Sequence, residues 1–494
     1  MMIKAETILA ATEVVAVHGD RSEMIRGLTL DSRQVKPGFV FFAVPGHNLD
    51  GGRFIQDAIE RGARMVVTAE AGSVNRRNVL VAQVSDVRRA MAEMAAAFYD
   101  HPSHNLYAVG ITGTNGKTTT AGMVRRVFER AERQPGSIGT IRYQIGDRSI
   151  PAARTTPESL DLQRMMAQML KAGCRSVIME VSSHGLVQKR VWDVDFDVVV
   201  FTNLTHDHLD YHQTVEDYYE AKSLLFQGLQ AKPARAAVIN LDDPWGVRLV
   251  ELARRHSQVV TYAIQNEKAD IRATQLELSA HGSAFELQSP WGAAPARLRL
   301  LGRFNVYNAL AAMGVCAMAD IPLDRIVPVL ADMRLVEGRL EEIKTSAGFQ
   351  VFVDYAHTAD ALKNVLATLR EITDGRLIVV FGCGGDRDRR KRPMMGAVAA
   401  ELADYSILTS DNPRKENPLA ILSQIRAGFT NNDNYEVVED RYEAIVHALS
   451  MADRGDVVLV AGKGHENYQE FGDTVIPFDD RQVVRECLGI TTQA

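Results

Sequence analysis

Short runs of apolar, often β-branched residues alternate along most of the chain with longer segments whose apolar positions recur every three or four residues. The short runs predict buried strands, and the longer periodicity predicts amphipathic helices. Strands are predicted at residues 39–44, 65–68, 79–82, 106–111, 176–181, 198–202, 237–240, 349–353, 377–381, 406–409 and 457–460. Helices are predicted at residues 54–61, 87–99 and 119–133. Because the strands are almost continuously apolar, we expect an α/β protein whose sheets are parallel and covered on both faces.

The chain of 494 residues is too long for a single hydrophobic core and therefore indicates several domains. Changes in the pattern and turn-forming residues divide it into three units. We expect a smaller α/β domain over residues 1–103, a central domain with a parallel sheet of the phosphate-loop type over 104–336, and a Rossmann-like domain over 337–494.

The clearest chemical signal follows the predicted strand at residues 106–111. Residues 112–119 read Thr-Gly-Thr-Asn-Gly-Lys-Thr-Thr and lead into a predicted helix, which is the context of a phosphate-binding loop. Glycine lets the backbone approach phosphate oxygens, while the loop amides and the helix N-terminus face the anion. We expect Lys117 to neutralise the outer phosphates and the Thr118 hydroxyl to bind Mg²⁺. Only two residues separate the two glycines, so the loop is shorter than the common form.

Polar residues also follow other predicted strands of the central unit. Glu180 lies near the end of one strand, and His208 lies in the loop after the next. Carboxyl ends of parallel strands meet at one edge of a sheet, so a joint nucleotide and metal site is expected there. Taken alone, Glu180 also fits a structural carboxylate, and His208 also fits a hydrogen-bonded loop residue.

Four predicted strands of the last third run into polar loops at residues 354–357, 382–388, 410–414 and 461–466. These loops carry arginines and carboxylates besides the usual turn formers. This pattern is typical of a doubly wound sheet that binds a ligand at its carboxyl edge.

The composition fits a globular protein, with 46% hydrophobic and 24% charged residues. The net charge of -6 argues against nucleic-acid binding, which normally requires a basic surplus. No apolar run is long enough to span a bilayer and the N-terminus lacks a signal-peptide stretch, so we expect no membrane insertion. The four cysteines are scattered without metal-site or disulfide spacing. Together these features indicate a cytoplasmic protein.

Several segments are similar, in order and along essentially the whole chain, to the Mur ligase family. They lie at residues 112–119, 180–186, 207–212, 302–308, 338–341, 354–358, 411–414 and 462–466. The resemblance implies an ATP-dependent amide ligase of peptidoglycan precursor synthesis. ATP would phosphorylate the D-glutamate carboxylate of UDP-N-acetylmuramoyl-L-alanyl-D-glutamate, and an amine of meso-2,6-diaminopimelate would attack the acyl phosphate. The Asp-Asn-Pro-Arg loop at 411–414 is typical of members that add diaminopimelate rather than lysine.

The resemblance also assigns the residues that handle ATP and the metal. It implies ATP binding by Gly113, Thr114, Asn115, Gly116, Lys117, Thr118, Thr119, Asn308, Arg339 and Asp354. One Mg²⁺ would lie on Thr118 and Glu180, and a second on His208 and a carbamate formed at Lys222. A carbamate offers a hard cation the oxygens that an ammonium cannot. The catalytic set is therefore Lys117, Glu180, His208 and Lys222, while Asn308 and its neighbour Asn305 also fit helix capping.

Substrate positions follow from the same resemblance. The UDP-sugar dipeptide would contact Leu30, Ser32, His47, Asn48, Leu49, Thr155, Thr156, Ser182, Gln188 and Arg190. Diaminopimelate would contact Arg387, Asp411, Asn412, Pro413, Arg414, Gly462 and Glu466. Arg414 and Arg387 suit the extra carboxylate that distinguishes diaminopimelate from lysine, and Arg190 suits a substrate carboxylate. Asp411 and Glu466 suit the distal ammonium.

Two positions depart from the family pattern, namely Ala359, where many relatives have proline, and Arg154, where a smaller polar residue is expected. Folylpolyglutamate synthetase is the nearest alternative enzyme, although the loops at 411–414 and 462–466 fit it poorly. A binding module that uses ATP only to close its domains is the alternative from another class. We expect a monomer.

Overall fold

The structure is a computed structural model that describes residues 2–46, 50–70, 72, 79–228, 233–279, 281–333, 338–430 and 433–490. Three large sheets follow one another along the chain, each with helices packed on its faces. None of the helices in these described ranges is long and apolar enough to cross a membrane. The predicted boundary at 336/337 and the positions His47, Asn48 and Leu49 lie outside the described residues.

The first sheet has the strand order β2-β7-β6-β5-β4, and β2 alone runs antiparallel to its neighbour. The strands of this unit, including the separate β1/β3 pair, are β1 (Ile3–Lys4), β2 (Ala16–His18), β3 (Met24–Ile25), β4 (Gly27–Thr29), β5 (Phe39–Phe42), β6 (Ala63–Thr68) and β7 (Leu80–Gln83). Its helices are α1 (Ala5–Leu9), α2 (Ile55–Glu60) and α3 (Val87–Phe98), with short 3-10 helices at Ser32–Gln34, Gly51–Phe54 and Pro102–Asn105. The side chain of Asp86 caps α3 by accepting the backbone N–H of Arg89.

The second sheet has eleven strands in the order β11-β10-β9-β12-β8-β13-β14-β15-β16-β17-β18. Its strands are β8 (Tyr107–Thr112), β9 (Pro135–Ile138), β10 (Arg142–Ile145), β11 (Arg148–Pro151), β12 (Ser176–Glu180), β13 (Val198–Phe201), β14 (Ala236–Asn240), β15 (Gln258–Ala263), β16 (Ile271–Ser279), β17 (Gly282–Ser289) and β18 (Gly292–Leu298). Seven neighbouring strands in this order are parallel, namely β9, β12, β8, β13, β14, β15 and β16, and antiparallel pairs extend both edges of the sheet.

Helices cover the parallel part of this sheet on both faces and create two buried apolar layers. They are α4 (Lys117–Arg130), α5 (Ser159–Lys171), α6 (Ser183–Val187), α7 (Leu209–His212), α8 (Val215–Ser223), α9 (Pro244–Ala253), α10 (Arg303–Met318) and α11 (Leu323–Ala331), with a 3-10 helix at Leu224–Phe226. Because β8 lies between β12 and β13, the loop that follows it faces the carboxyl ends of both neighbours.

The third sheet has the order β19-β20-β24-β21-β22-β23, and β19 alone is antiparallel. The strands of this unit are β19 (Glu341–Ile343), β20 (Gln350–Asp354), β21 (Leu377–Phe381), β22 (Tyr405–Leu408), β23 (Tyr435–Val437) and β24 (Val457–Ala461), followed by the hairpin β25 (Tyr468–Phe471) and β26 (Thr474–Pro477). Its helices are α12 (Ala359–Arg370), α13 (Lys391–Leu402), α14 (Pro418–Arg426), α15 (Arg441–Ser450) and α16 (Asp480–Cys487). The doubly wound arrangement predicted for this part of the chain is confirmed.

The predicted α/β class is confirmed, with two corrections. The central sheet is mixed rather than parallel, because β10, β11, β17 and β18 add antiparallel edges that half-exposed, less apolar strands can form. The helix after the glycine loop begins at Lys117, two residues before the predicted start, and ends at Arg130. Lys117 and Thr118 therefore lie in the first helical turn, where the backbone N–H groups are free to face an anion.

Candidate active site

The glycine loop packs closely against the end of β13. Gly113 and Gly116 both have positive φ angles, 145° and 89°. A Cβ atom on Gly113 would lie 1.9 Å from the Thr202 hydroxyl oxygen, so no other residue fits there without a shift. Asn203 holds the loop from the same side, since its side-chain oxygen accepts the backbone N–H of Asn115 at 2.9 Å. The loop is thus fixed in shape by its neighbours.

Glu180 ends β12 directly beside this loop. Its carboxylate accepts the Thr118 hydroxyl at 2.9 Å, and it also accepts the hydroxyl and the backbone N–H of Thr140 at 2.8 and 3.0 Å. Gly139 leaves room for this carboxylate, because a Cβ atom there would lie 2.3 Å from it. The sequence-predicted pair of Thr118 and Glu180 is therefore brought together, and the hydroxyl and backbone N–H of Thr140 hold the Glu180 carboxylate from a third side.

Two lysines converge on the carbonyl oxygens of the glycine loop; Lys222 is fully buried and Lys117 is half-buried. Lys117 Nζ donates to the carbonyls of Gly113 and Thr114 at 2.8 and 2.9 Å. Lys222 Nζ donates to the Gly113 carbonyl at 3.0 Å and lies over the Tyr218 ring. Burial holds the pKa of Lys222 well below its ordinary value, and the nearby charge of Lys117 adds to the effect. Burial also lowers the pKa of Lys117, although the Glu180 carboxylate opposes that shift.

His208 lies at the start of α7 in a left-handed conformation, with φ at 55°. Its Nε2 atom is 3.3 Å from Asp207 Oδ2. Burial lowers the pKa of His208 to about 3, so the imidazole is neutral near pH 7 and one ring nitrogen offers a lone pair. His357 Nε2 and Lys391 Nζ also approach the Asp207 carboxylate, each at 4.0 Å.

A cavity of about 300 Å³ opens beside the glycine loop and reaches α10 and α12. The sequence-predicted ATP residues in its wall are Asn115, Gly116, Thr119, Asn308, Arg339 and Asp354. Arg339 Nη2 donates to the Thr118 hydroxyl at 3.2 Å, which links the third sheet's unit to the glycine loop. Asn308 Oδ1 accepts the Thr120 hydroxyl, and Asn305 bonds the Leu301 carbonyl, so both asparagines also fasten the start of α10.

A larger cavity of about 730 Å³ is lined by residues of the second and third units. The sequence-predicted residues in its wall are Thr155, His208, Arg387, Asp411, Asn412, Arg414, Gly462 and Glu466. Pro413 is buried in the loop behind this wall. Tyr355 and His357 line this cavity and the 300 Å³ cavity alike, and they form the partition between the two.

The arginine and the carboxylate expected to select the amino acid already have partners. Arg414 has φ at 52°, and its Nε atom pairs with Glu470 at 3.0 Å, while Nη1 donates to the Gly385 carbonyl. Glu466 accepts hydrogen bonds from Asn412 and from buried Lys463 at 2.9 and 3.1 Å. Burial, reinforced by the charge of Asp411, raises the pKa of Glu466.

The residues predicted to hold the dipeptide surround the start of α6. The hydroxyls of Thr155 and Thr140 are hydrogen-bonded, and the Thr156 hydroxyl donates to the hydroxyl of Ser182, which caps α6.

Arg190 donates to the Gln188 side chain and pairs with Glu158 at 3.1 Å. The same Glu158 pairs with Arg88 at 3.3 Å and with Arg154 at 2.7 Å, so three guanidinium groups surround one carboxylate. Arg154, which departs from the family pattern, is thus one of the three arginines around Glu158. In the first unit, Leu30 is exposed and Ser32 is buried.

Several residues of the site carried no assignment at the level of sequence. They are Thr140, which contacts Glu180, Asn203, which contacts the glycine loop, and the residues Asp207, His357 and Lys463. Three of them fall inside segments that the family resemblance marks, at 207–212, 354–358 and 462–466. Thr140 follows the short strand β9 and lies in none of these segments.

Fold and site define a nucleotide-binding α/β protein of the phosphate-loop type. Models of three Mur ligase domains match most of the chain: the Mur ligase family catalytic domain at residues 24–99, the Mur ligase middle domain at 111–316, and the Mur ligase glutamate ligase domain at 338–464. The chain belongs to the Mur ligase family, which confirms the assignment from sequence.

A curated relative from Geobacillus thermodenitrificans is named UDP-N-acetylmuramoyl-L-alanyl-D-glutamate--2,6-diaminopimelate ligase. It is 47% identical over 491 residues, which cover 98% of this chain and 99% of the relative. A solved structure of that name has a TM-score of 0.70 at 34% identity and covers 99% of both chains. A folylpolyglutamate synthase of Mycobacterium tuberculosis, solved with ADP and AMPPCP, has a TM-score of 0.63 at 18% identity. It covers 81% of this chain and 95% of its own, and the likeness concerns the fold alone.

Proposed function

We propose that this protein is an ATP-dependent amide ligase that joins meso-2,6-diaminopimelate to the D-glutamate of UDP-N-acetylmuramoyl-L-alanyl-D-glutamate. It works in the cytoplasm as a monomer. One observation carries the proposal: the 730 Å³ cavity has the dipeptide-side residue Thr155 and the amino-acid-side residues Arg414 and Glu466 in a common wall. Both halves of the new amide bond can therefore meet beside the nucleotide. The name of the relative that is 47% identical supports the same substrates.

The three units divide the work. Residues 1–103 hold the UDP end through Leu30, Ser32, His47, Asn48 and Leu49, while 104–336 hold ATP and 337–494 hold the amino acid. A carboxylate is a poor acyl donor, so ATP first converts it into an acyl phosphate. Lys117 and Arg339 supply positive charge near the transferred phosphoryl group, where electrostatic stabilisation is most of what a protein can provide. Gly113 and Gly116 let the loop backbone approach that group.

The donor atoms around Glu180 fit Mg²⁺. The hydroxyl of Thr118 and the carboxylate of Glu180 are hard oxygen ligands 2.9 Å apart, and Mg²⁺ usually takes one or two protein oxygens together with substrate phosphates and water. When bound, Mg²⁺ would supply charge to the phosphates.

Lys222 becomes a carbamate in the working enzyme. Burial favours its neutral amine, whose lone pair attacks CO₂, forms an N–C bond and releases one proton. The resulting carbamate adds two oxygens and a negative charge beside the glycine loop. Together with neutral His208, these oxygens suit a second Mg²⁺. The carbamate would also place a negative charge beside the Lys117 side chain.

Recognition of diaminopimelate rests on Arg414 and Arg387 for the carboxylate, and on Asp411 and Glu466 for the distal ammonium. Asn412, Pro413 and Gly462 shape this pocket. Gly462 has φ at 112°, and a Cβ atom there would lie 2.6 Å from the Asp411 carboxylate. Lysine lacks the carboxylate that Arg414 would pair with, so the site should discriminate against it.

The test is phosphate release from ATP with the proposed substrates and with alternative or missing ones. Four mixtures are compared: the UDP-sugar dipeptide with diaminopimelate, with lysine, without an amine, and a folate with glutamate. We expect rapid release and a tripeptide product, identified by mass, only in the first mixture. Lys117→Ala serves as the inactive control. If the wild-type protein consumes no ATP in the first mixture, the proposal is wrong; activity with the folate would favour the synthetase alternative.

A further inference from the structure

His357 has no role in the proposed function, although it lies at the centre of the site. Together with Tyr355 it forms the partition between the nucleotide-side cavity and the amino-acid cavity. In the proposed reaction, a group in this position would face both the newly formed acyl phosphate and the amine that must attack it. Its location calls for an explanation in terms of the reaction.

The hydrogen bond of His357 fixes which ring nitrogen is free. Its Nδ1 atom lies 2.9 Å from the Tyr355 carbonyl oxygen, which can only accept a hydrogen bond. Nδ1 therefore carries the hydrogen, and in the neutral ring Nε2 has a lone pair. That lone pair faces Asp207 Oδ2 at 4.0 Å. His357 Nε2 and Asp207 Oδ2 are thus two acceptors that line the amino-acid cavity 4.0 Å apart. A donor with several protons, such as an ammonium group, could bind to both.

The surroundings of the pair fit these roles. Asp207 is buried, with Lys391 and His208 beside its carboxylate at 4.0 and 3.3 Å. Burial lowers the pKa of His357 to about 4, with Lys391 and Arg339 as further causes. Near neutral pH His357 is therefore a neutral imidazole. A proton on Nε2 would be stabilised by the adjacent carboxylate.

We propose that Asp207 binds the ammonium of the incoming amino acid and that His357 Nε2 takes one of its protons. This inference rests on the proposed function. Loss of that proton frees the nitrogen lone pair, the N–C bond forms, and the C–O bond to phosphate breaks with its electrons going to phosphate. The second surplus proton on nitrogen leaves with the phosphate, and the imidazolium returns its proton to solvent. Asp207 stays ionised throughout and holds the imidazolium.

Hydroxylamine separates this role from a structural one, because it is uncharged near neutral pH and attacks acyl phosphates without losing a proton first. In His357→Gln we expect amide formation with diaminopimelate to fall by ~100-fold in kcat, the usual scale for a positioned proton acceptor. ATP-dependent hydroxamate formation from the UDP-sugar dipeptide should stay within about 3-fold of wild type, because the phosphoryl transfer is untouched. The Gln amide can still donate to the Tyr355 carbonyl.

His357→Asn provides a second substitution should the first one fold poorly, and His256→Gln, at an exposed position, is the matched control. Equal loss of both products in His357→Gln and His357→Asn, or loss of neither, would overturn the inference. If wild-type protein makes neither amide nor hydroxamate, the proposed function itself has failed. The two failures are therefore distinguishable in one set of reactions.

Discussion

The Asn115 side-chain amide donates a hydrogen bond of 2.9 Å to Asp360 Oδ2. The contact joins the glycine loop to the first turn of α12, across 245 residues of sequence. Burial raises the pKa of the Asp360 carboxyl, and the residue also lines the nucleotide-side cavity. The loop that is expected to cradle phosphate is thereby tied to the unit that is expected to bring the amino acid.

Asp360→Ala should weaken ATP binding more than it slows catalysis. Loss of the acceptor leaves the Asn115 amide unpaired beside the cavity, which costs about 1–2 kcal/mol and corresponds to a roughly 5- to 30-fold rise in KM for ATP. Steady-state kinetics at saturating amino acid would measure this rise. Glu371→Gln, at the exposed far end of α12, is the control. An unchanged KM for ATP would show that the contact does not assist nucleotide binding.

Lys222→Ala should lose at least ~100-fold in kcat, and part of the loss should return when short carboxylates such as acetate are added. The reason is that the substitution leaves a small space where a free carboxylate can supply the oxygens of the missing carbamate. Phosphate release over a range of acetate concentrations would measure the recovery.

Lys117→Ala is the matched control for this rescue, because its side chain acts through positive charge and no carboxylate can replace it. Intact-mass measurement of the wild-type protein in bicarbonate should also show the added CO₂ on Lys222. No recovery in Lys222→Ala, combined with an unmodified lysine, would refute the carbamate.

The sequence predicts the inner part of each sheet well because strands buried on both faces must be apolar throughout. β12, β13 and β21 are fully buried and stand out as continuous runs. β16 has one half-exposed face, and its alternating burial mixes charged with apolar residues. Whether such a segment forms a strand depends on pairing with its neighbours. Its antiparallel pairing with β17 could therefore not be inferred from the residues of β16 alone.

Individual site residues are predictable where their chemistry depends on a local motif, as it does for Lys117 and Thr118. Contacts between distant segments are not. The bond between Thr140 and Glu180 spans 40 residues and that between Arg414 and Glu470 joins a loop to a hairpin, and neither is marked by any spacing rule. The family resemblance marks Glu180 and Arg414, but only the fold shows that Thr140 and Glu470 contact them.

Arg414→Ala should reduce selectivity for diaminopimelate over lysine. The left-handed backbone and the contact with Glu470 hold the guanidinium in the wall of the amino-acid cavity, and lysine would offer it no substrate carboxylate. Loss of a charged hydrogen-bonded pair should lower kcat/KM for diaminopimelate by roughly 100-fold while activity with lysine changes little. Competition between the two amino acids, resolved by product mass, measures this ratio. Full discrimination in the variant would exclude Arg414 as the selecting residue.

Glu416 should make the C-terminal unit sensitive to acid. Its carboxylate accepts hydrogen bonds from both terminal nitrogens of the fully buried Arg392, and these bonds lower the pKa of Glu416 to about 2. The folded-state pKa is depressed, so the pair stabilises the fold fully above the unfolded value near 4.5 and loses this contribution as the pH falls toward 2. The contribution at neutral pH is about 3 kcal/mol.

In Glu416→Gln the same stabilisation is absent at every pH, so wild type and variant should differ most at pH 6 and converge toward pH 3. Urea unfolding followed by fluorescence at several pH values would measure the difference in midpoint. Glu401→Gln, which removes an exposed carboxylate near the end of α13, the helix that carries Arg392, is the control. A difference between wild type and Glu416→Gln that stays constant from pH 6 to pH 3 would mean that Arg392 does not hold the carboxylate ionised.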